Sequence, residues 1–366
     1  MKTYKNLYPR VYSFENLYRA YRAARKGKRK RVAVASFEFD LEGNLLDLQD
    51  ELCTYTYRPG AYTNFYIYEP KRRLVSAAPF RDRVVHHALC RAIEPIWDAW
   101  PTGARFIDTS YACRVGKGTH QALDRCQAWM RQYAYAFHGD VVKYFPSIDH
   151  QILRRLLARR IADRQTMWLV DQILDSGAGI QAGERPPIYF AGDDLFAALR
   201  PKGLPIGNLT SQFWANVYLH ELDMFVKHQL HCAAYLRYMD DFVLFCDDKA
   251  QLQAWKAAIR DFLAARLRLE LHPRKSPVFP VGVGIDFCGF RIFATHRRLR
   301  RSSVRRFVRR FRRQRDAYER GELTFDEMNH SVRSWLAHAA HGDTWRLRAR
   351  IFADYPIRRP RAGVPR

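Results

Sequence analysis

Tyr238-Met239-Asp240-Asp241 lies between two short apolar runs, residues 233–236 and 242–246. Two strand-forming runs separated by a tight polar break predict a β-hairpin. Two adjacent carboxylates then stand at the tip of a rigid support. Neighbouring side chains on an extended chain point to opposite faces, so Asp240 and Asp241 are expected to play different roles. Paired acids in a turn repel each other unless a cation neutralises them. The chain carries 62 Lys plus Arg against 37 Asp plus Glu, a net charge of +25. The fitting cation is a divalent metal, and the fitting substrate is a polyanion. An exposed acidic turn would read the same in isolation, so the rest of the chain decides.

At 366 residues, 48% hydrophobic and 14% aromatic, the chain can bury a large core in one to three units and is globular. An excess of cations this large points to nucleic acid as partner. No apolar run reaches the length that spans a bilayer, so no membrane partner is expected. The seven cysteines are scattered, with no Cys-x-x-Cys pair. That pattern fits a reducing cytoplasm and neither a zinc finger nor a disulfide framework.

An amphipathic basic helix is predicted over residues 13–31, with Phe14, Leu17, Tyr18 and Tyr21 on one face. A strand-rich, tyrosine-rich segment follows over residues 55–68. Helices are predicted over residues 80–97, 124–133, 151–174, 208–230 and 251–269, and strands over residues 134–142 and 278–293. From Arg297 to Arg320 there are twelve arginines and two acids. Val304, Phe307, Val308 and Phe311 keep helical spacing beneath them, which predicts a folded basic helix starting near Arg297. Such density of one sign favours phosphate contact. Trp335 and Trp345 predict one or two helices behind it, and the Pro- and Arg-rich end, residues 358–366, reads as disordered.

Asp140 ends the strand predicted upstream of the hairpin. Nucleotidyl transfer by two metals needs carboxylates from different strands converging on two ions, and Asp140, Asp240 and Asp241 would supply them. Mg²⁺ suits such a set because it binds through few carboxylates and keeps positions for phosphate oxygens. Phe145, five residues on, is a candidate for the floor under the nucleotide sugar, or else a core residue. Asp149 reads as a helix N-cap.

These blocks, in this order, resemble the reverse transcriptases of bacterial retroelements. Residues 69–83 are similar to their fingers block, residues 110–119 to the next, the Asp140 segment to motif A and the Tyr238 hairpin to motif C. Residues 269–275 and 284–290 are similar to the last palm blocks. The resemblance implies an α+β right-hand polymerase with a C-terminal helical thumb. Its divisions fall at 1–135 (N-terminal extension and fingers), 136–295 (palm) and 296–366 (basic thumb and tail). It implies Asp140, Val141, Asp240 and Asp241 as ligands of two Mg²⁺ ions; since the two hairpin acids face opposite ways, Asp240 is expected to be indispensable and Asp241 more forgiving. Lys71, Arg72 and Arg73 are assigned to the triphosphate and incoming base, which of them being left open by the spacing. Val141, Phe145, Ile206, Gly207 and Gln212 would line the nucleotide pocket. Lys275 resembles the lysine that protonates leaving pyrophosphate. Tyr238, Met239 and Gly289 would meet the primer, and Arg305, Arg309 and Arg312 on the thumb would track the duplex.

Gly203-Leu204-Pro205-Ile206-Gly207-Asn208-Leu209-Thr210-Ser211-Gln212 occupies the motif B position, where most reverse transcriptases read Gln-Gly-x-x-x-Ser-Pro. Ile206 replaces the Gln and Gln212 the Pro. This is similar to reverse transcriptases of diversity-generating retroelements, which copy a template-repeat RNA into cDNA with errors at template adenines. An isoleucine offers shape where a glutamine would add a directional hydrogen bond, so discrimination is expected to fall. The implied partners are template RNA, the RNA/DNA heteroduplex, dNTPs and a small basic accessory protein, itself oligomeric. The implied setting is the cytoplasm of a bacterium, with a bacterial or phage gene. About fifty residues follow the thumb without an endonuclease or RNase H signature, so a bare polymerase is expected. A retron-type or group II intron-like reverse transcriptase is the alternative within the class, and a non-catalytic RNA-binding protein on the same scaffold the alternative outside it.

Overall fold

The computed structural model describes residues 2–69, 71–98, 106–184, 186 and 188–358. Pro70 of the fingers block, and the expected disordered end beyond Arg358, lie outside the described residues. The chain begins with four helices: α1 (Tyr8–Tyr12), α2 (Phe14–Ala24), α3 (Val32–Phe39) and α4 (Leu41–Cys53). The Ser13 side chain caps α2 by accepting from the Asn16 amide. Leu17, Ala20, Tyr21 and Ala24 form its buried stripe, packed on α5 (Phe80–Ile93). Phe14 and Tyr18, expected on that face, are 38% and 40% exposed. The helix also stops seven residues short of the prediction, because residues 25–31 offer only cations and Gly27 turns left-handed at φ 72°. Helices α3 and α4 are not anticipated by the sequence pattern. The run Val-Ala-Val-Ala-Ser-Phe-Glu-Phe favours strand locally, and its packing on α4 and α5 overrides that preference.

The tyrosine-rich segment yields one hairpin, β1 (Thr63–Ile67) with β2 (Arg73–Ala77). Tyr57 and Tyr62 leave the strand register and spend their hydroxyls on buried partners. Tyr57 donates to Asp82 Oδ1 at 2.9 Å, and Tyr62 accepts from Asn208 Nδ2 at 2.9 Å.

After α6 (Thr119–Met130) the chain enters β3 (Tyr135–Asp140), then α7 (Tyr144–Ser147), α8 (His150–Ala158) and α9 (Arg164–Ser176). Asp149 caps α8 as expected, accepting from the Ile152 amide at 3.0 Å. The long α10 (Leu209–His228) precedes the hairpin of β4 (Tyr235–Tyr238) and β5 (Asp241–Cys246), which α11 (Lys249–Leu267) and β6 (Val278–Pro280) follow. One antiparallel sheet results, in the order β4-β5-β3-β6. Its alternating side chains feed two cores. Phe137, Tyr235, Phe242 and Leu244 pack with α10 and α11; Ala136, Leu236, Val243 and Phe245 pack with α6 and the C-terminal elements. Both faces are covered, so the sheet is a fixed platform.

A second sheet joins β7 (Ile285–Phe287), β8 (Phe290–Ile292) and β9 (Arg297–Leu299). The first arginines of the basic run therefore pair as a strand, and α12 (Arg301–Glu319) starts at Arg301 rather than at Arg297. Phe307 and Phe311 are its buried residues, as their spacing predicts. Helices α13 (Phe325–Ala339) and α14 (Trp345–Asp354) complete the unit. Trp335 stacks on Phe307 with ring centroids 3.7 Å apart, a pair worth about 0.5–1.5 kcal/mol beyond its burial. Trp345, expected to pack likewise, is 73% exposed. All seven cysteines are free. Among the described residues no helix is long and apolar enough to cross a membrane.

Candidate active site

The acidic hairpin closes through a two-residue loop, Met239-Asp240, with Tyr238 and Asp241 as the last paired residues. Met239 has φ 59°, a left-handed conformation usually left to glycine at the first position of such a loop. The strain is held by Arg237, whose Nη1 donates to the Met239 carbonyl at 3.0 Å and to Asn216 Oδ1 at 3.1 Å. Arg237 itself is fully buried and grips Asp223 with two parallel bonds of 2.7 and 2.6 Å. The Tyr235 hydroxyl donates to the same carboxylate at 2.7 Å. Tyr238 accepts from the Thr119 hydroxyl at 3.1 Å. Sequence reasoning passed over Arg237 and Asp223. A lone arginine inside an apolar strand is the signal that could have found them, since a buried charge requires a partner.

Across the sheet, Asp140 and Asp241 are register partners, and Gly139 faces Phe242. A Cβ on Gly139 would fall inside the Phe242 ring, so this glycine allows the close approach that sets the two acids side by side. Antiparallel partners share a face, so Asp140 and Asp241 point the same way. His138, two residues before Asp140 on that face, bonds to Asp241 through Nε2. Burial alone would depress the His138 imidazole, but Asp241 and then Asp140 outweigh it and hold it above its usual range. Lys275 Nζ stands 3.1 Å from Asp140 Oδ2. Among the described residues Asp240 has neither a lysine nor a histidine partner of this kind. Burial, then the Asp140 charge, push its carboxyl up to about 6, with Asp241 adding to the shift and Arg73 opposing it.

The strand end is tied down by Glu270 and His272. Val142 N–H donates to the Glu270 carbonyl at 2.9 Å, and the Asp140 carbonyl accepts from His272 N–H at 2.7 Å. Val141 faces Leu271 between these bonds, so its own carbonyl lies outside that ladder. Phe145 is half-buried against Tyr144, and its carbonyl accepts from Leu204 N–H at 2.9 Å. The Ile206 carbonyl accepts from Ser76 N–H on β2 at 2.9 Å. Gly207, at φ 128°, presses on the same strand: a Cβ there would meet the Ser76 carbonyl oxygen at 3.3 Å. Gln212 is exposed on the first turn of α10. Of Lys71, Arg72 and Arg73, it is Arg73 whose charge reaches Asp240, while Arg72 stacks over Tyr66 at 4.1 Å and Lys71 is exposed. Cys288 and Gly289 form the β7–β8 turn with φ 46° and 88°. Burial, then the charge of Asp241, push up the Cys288 thiol. Arg305, Arg309 and Arg312 project from α12 along an open groove that Val304 and Val308 floor.

A sequence profile described as reverse transcriptase (RNA-dependent DNA polymerase) matches residues 69–292. The chain belongs to the reverse transcriptase family. It is thus an RNA-directed DNA polymerase of α+β class. It is 27% identical to the protein YkfC of Escherichia coli K12 over 284 residues, 67% of this chain and 70% of that protein. It is also 27% identical to the group II intron-encoded protein LtrA of Lactococcus lactis over 225 residues, 60% of this chain and 34% of LtrA. The chain thus spans about a third of LtrA's length. An apo telomerase from Candida tropicalis, truncated from its C-terminal domain, superposes with a TM-score of 0.45 at 9% identity, over 69% of this chain and 59% of that one.

Reverse transcriptases generally use divalent ions such as Mg²⁺, and the donor set here is all oxygen, as Mg²⁺ prefers. Burial first, and the charges of Asp140 and Asp241 after it, raise the Asp240 carboxyl, and a nearby divalent cation would favour its ionised form. Among the described residues no three His, Cys, Asp or Glu side chains are gathered closely enough to hold one ion. Asp140 is engaged by Lys275 and Asp241 by His138. Asp140 and Asp241, side by side on adjacent strands, are the pair that would offer oxygens to such an ion, and Lys275, whose side chain is 52% exposed, would first have to leave Asp140.

Proposed function

We propose that this reverse transcriptase joins nucleotides at Asp140, Asp240 and Asp241, with the Val141 carbonyl as a fourth oxygen donor. The observation that carries the reading is the pairing of Asp140 with Asp241 across adjacent strands, with Asp240 in the turn beside them. Two Mg²⁺ ions bound there would activate a primer 3′-hydroxyl and neutralise the triphosphate. Arg73 offers a fork for the phosphates, with Lys71 and Arg72 beside it. Lys275, once off Asp140, is placed to hand a proton to departing pyrophosphate. Phe145, Ile206, Gly207 and Gln212 bound the nucleotide, and Tyr238, Met239 and Gly289 face the primer end. Arg305, Arg309 and Arg312 hold the RNA/DNA duplex by its phosphates. In this reading residues 1–135 are extension and fingers, 136–295 palm and 296–366 thumb, with β9 carrying the palm-side sheet to Leu299. Primer extension on an RNA template tests the site. Asp240→Asn should lose at least a thousandfold in rate and Asp241→Asn less; equal extension by wild type and Asp240→Asn would sink the assignment (~10³ for a lost electrostatic stabiliser).

The motif B block supports a finer reading: mutagenic copying of a template-repeat RNA, as in diversity-generating retroelements, with a small basic accessory protein as partner. Ile206 and Gln212 carry it. The likeness to LtrA supports the second reading, a group II intron-like or retron-type enzyme. Sequencing the cDNA separates the two. Errors concentrated at template adenines favour the first, and a uniform error spectrum favours the second.

A further inference from the structure

Glu184 joins two parts of the molecule with one carboxylate. It ends a short 3-10 turn (Ala182–Glu184) in the connection between α9 and α10. Its Oε1 accepts from the Tyr66 hydroxyl on β1 at 3.1 Å. Its Oε2 stands 3.6 Å from Lys143 Nζ. Lys143 lies three residues beyond Asp140, held at φ 45° at the entrance to α7, so its ammonium is displayed by a fixed turn. The Glu184 side chain is 9% exposed and that of Lys143 51%. On the far side the Arg72 guanidinium covers the Tyr66 ring at 4.1 Å. Arg72, Tyr66, Glu184 and Lys143 thus form one string from the fingers hairpin to the turn after Asp140. Tyr66 pairs with Leu74, the neighbour of Arg73, whose charge reaches Asp240.

We propose that Glu184 is a selectivity residue for the incoming nucleotide, an internal anion that occupies Lys143 until a triphosphate takes its place. The inference rests on the polymerase reading of the acidic site. A pocket lined by three carboxylates needs nearby cations to admit a triphosphate, and Lys143 is the cation next along the chain from Asp140. A carboxylate already on that cation raises the threshold for weakly charged anions, while a triphosphate carries enough charge to displace it. A half-exposed ion pair at this distance is weak and yields readily. The Tyr66 hydroxyl keeps its hold on Glu184 after displacement, so the connection stays fastened to the fingers.

Glu184→Gln keeps the size of the side chain and an acceptor for Tyr66 while removing the charge. Steady-state extension with this variant should show the KM for dNTP lowered about two- to fivefold, with the change in KM rather than in kcat. Inhibition by inorganic tripolyphosphate should strengthen by a similar factor. In a Lys143→Met background the substitution should change neither quantity. Thermal unfolding of each variant separates a charge effect from a folding defect. A wild-type KM in folded Glu184→Gln, or the same gain without Lys143, overturns the proposal. If Asp240→Asn extends primers normally, it is the polymerase site itself that fails, an outcome readable independently of Glu184.

Discussion

Arg237 Nη2 and Asp223 Oδ2 lie 2.6 Å apart with both side chains wholly shut off from solvent. The pair joins α10 to β4, and the remaining guanidinium nitrogen reaches the Met239 carbonyl, so a buried ion pair fixes the shape of the turn that presents Asp240. Removing one partner leaves an uncompensated buried charge, which costs about 3–5 kcal/mol. Asp223→Asn should therefore lower unfolding stability by about that amount in urea titration. The double change Asp223→Leu with Arg237→Met should cost less than either single change, while primer extension stays low because Met239 has lost its anchor. Additive losses in the double variant would refute the role given to the pair.

Gly139→Ala tests the close approach between the two central strands. Phe242 is fully buried, edge-on to Phe137 at 5.9 Å and to Tyr235 at 6.3 Å, so its ring has no room to retreat. Overpacking of this kind costs about 1–3 kcal/mol. The strain falls one residue from Asp140, so extension should also need more Mg²⁺ for half-maximal rate. Phe242→Leu should recover much of the lost stability in the double variant, and denaturant unfolding of the four proteins in the cycle checks it.

Glu94, at the end of α5, gives a pH dependence to stability. Burial, then the charge of Asp98, push its carboxyl up to about 7. A folded-state value above the unfolded one means that the folded protein holds the proton more tightly. The stability this contributes is fully present below about pH 4.5 and is lost as the pH rises through about 7. Glu94→Gln stays neutral throughout, so it should match wild type at pH 4.5 and exceed it by about 1–3 kcal/mol at pH 8. Thermal unfolding from pH 4.5 to 8 measures the gap. A gap that is constant across that range would contradict the assignment.

The order of the family's sequence blocks was legible because each rests on a local pattern. Alternation set the strands at β3, β4 and β5, and the 3.6-residue spacing of Phe307 and Phe311 set α12. What stayed hidden depends on partners distant along the chain. Arg237 read as one cation among many, because its meaning comes from Asp223 across the core. His138 acquires its role only when the strand register sets Asp241 opposite Asp140, diagonal to His138 on the same face. Helix α3 was missed because its composition favours strand and its helical state is imposed by packing. Asp240 and Asp241 have different surroundings, Asp241 bonded to His138 and Asp240 raised by burial and by the Asp140 charge.

Ile206→Gln addresses copying accuracy. The Ile206 carbonyl is fixed by Ser76 N–H, and Gly207 is pressed on the same strand, so a new side chain at 206 would leave from the same point and in the same direction. A glutamine there would add one directional hydrogen-bonding group to the nucleotide pocket proposed at Ile206, where isoleucine offers shape alone. A net hydrogen bond of about 0.5–1.5 kcal/mol corresponds to roughly two- to tenfold in discrimination. Misincorporation opposite template adenines should fall by about that factor in sequenced cDNA, while extension on a matched template stays near wild type. The effect should be larger at adenines than at the other three template bases, since the proposed laxity is greatest there. An error spectrum unchanged by Ile206→Gln would place the determinant of accuracy elsewhere, and Gln212, exposed at the first turn of α10, would be the next position to vary.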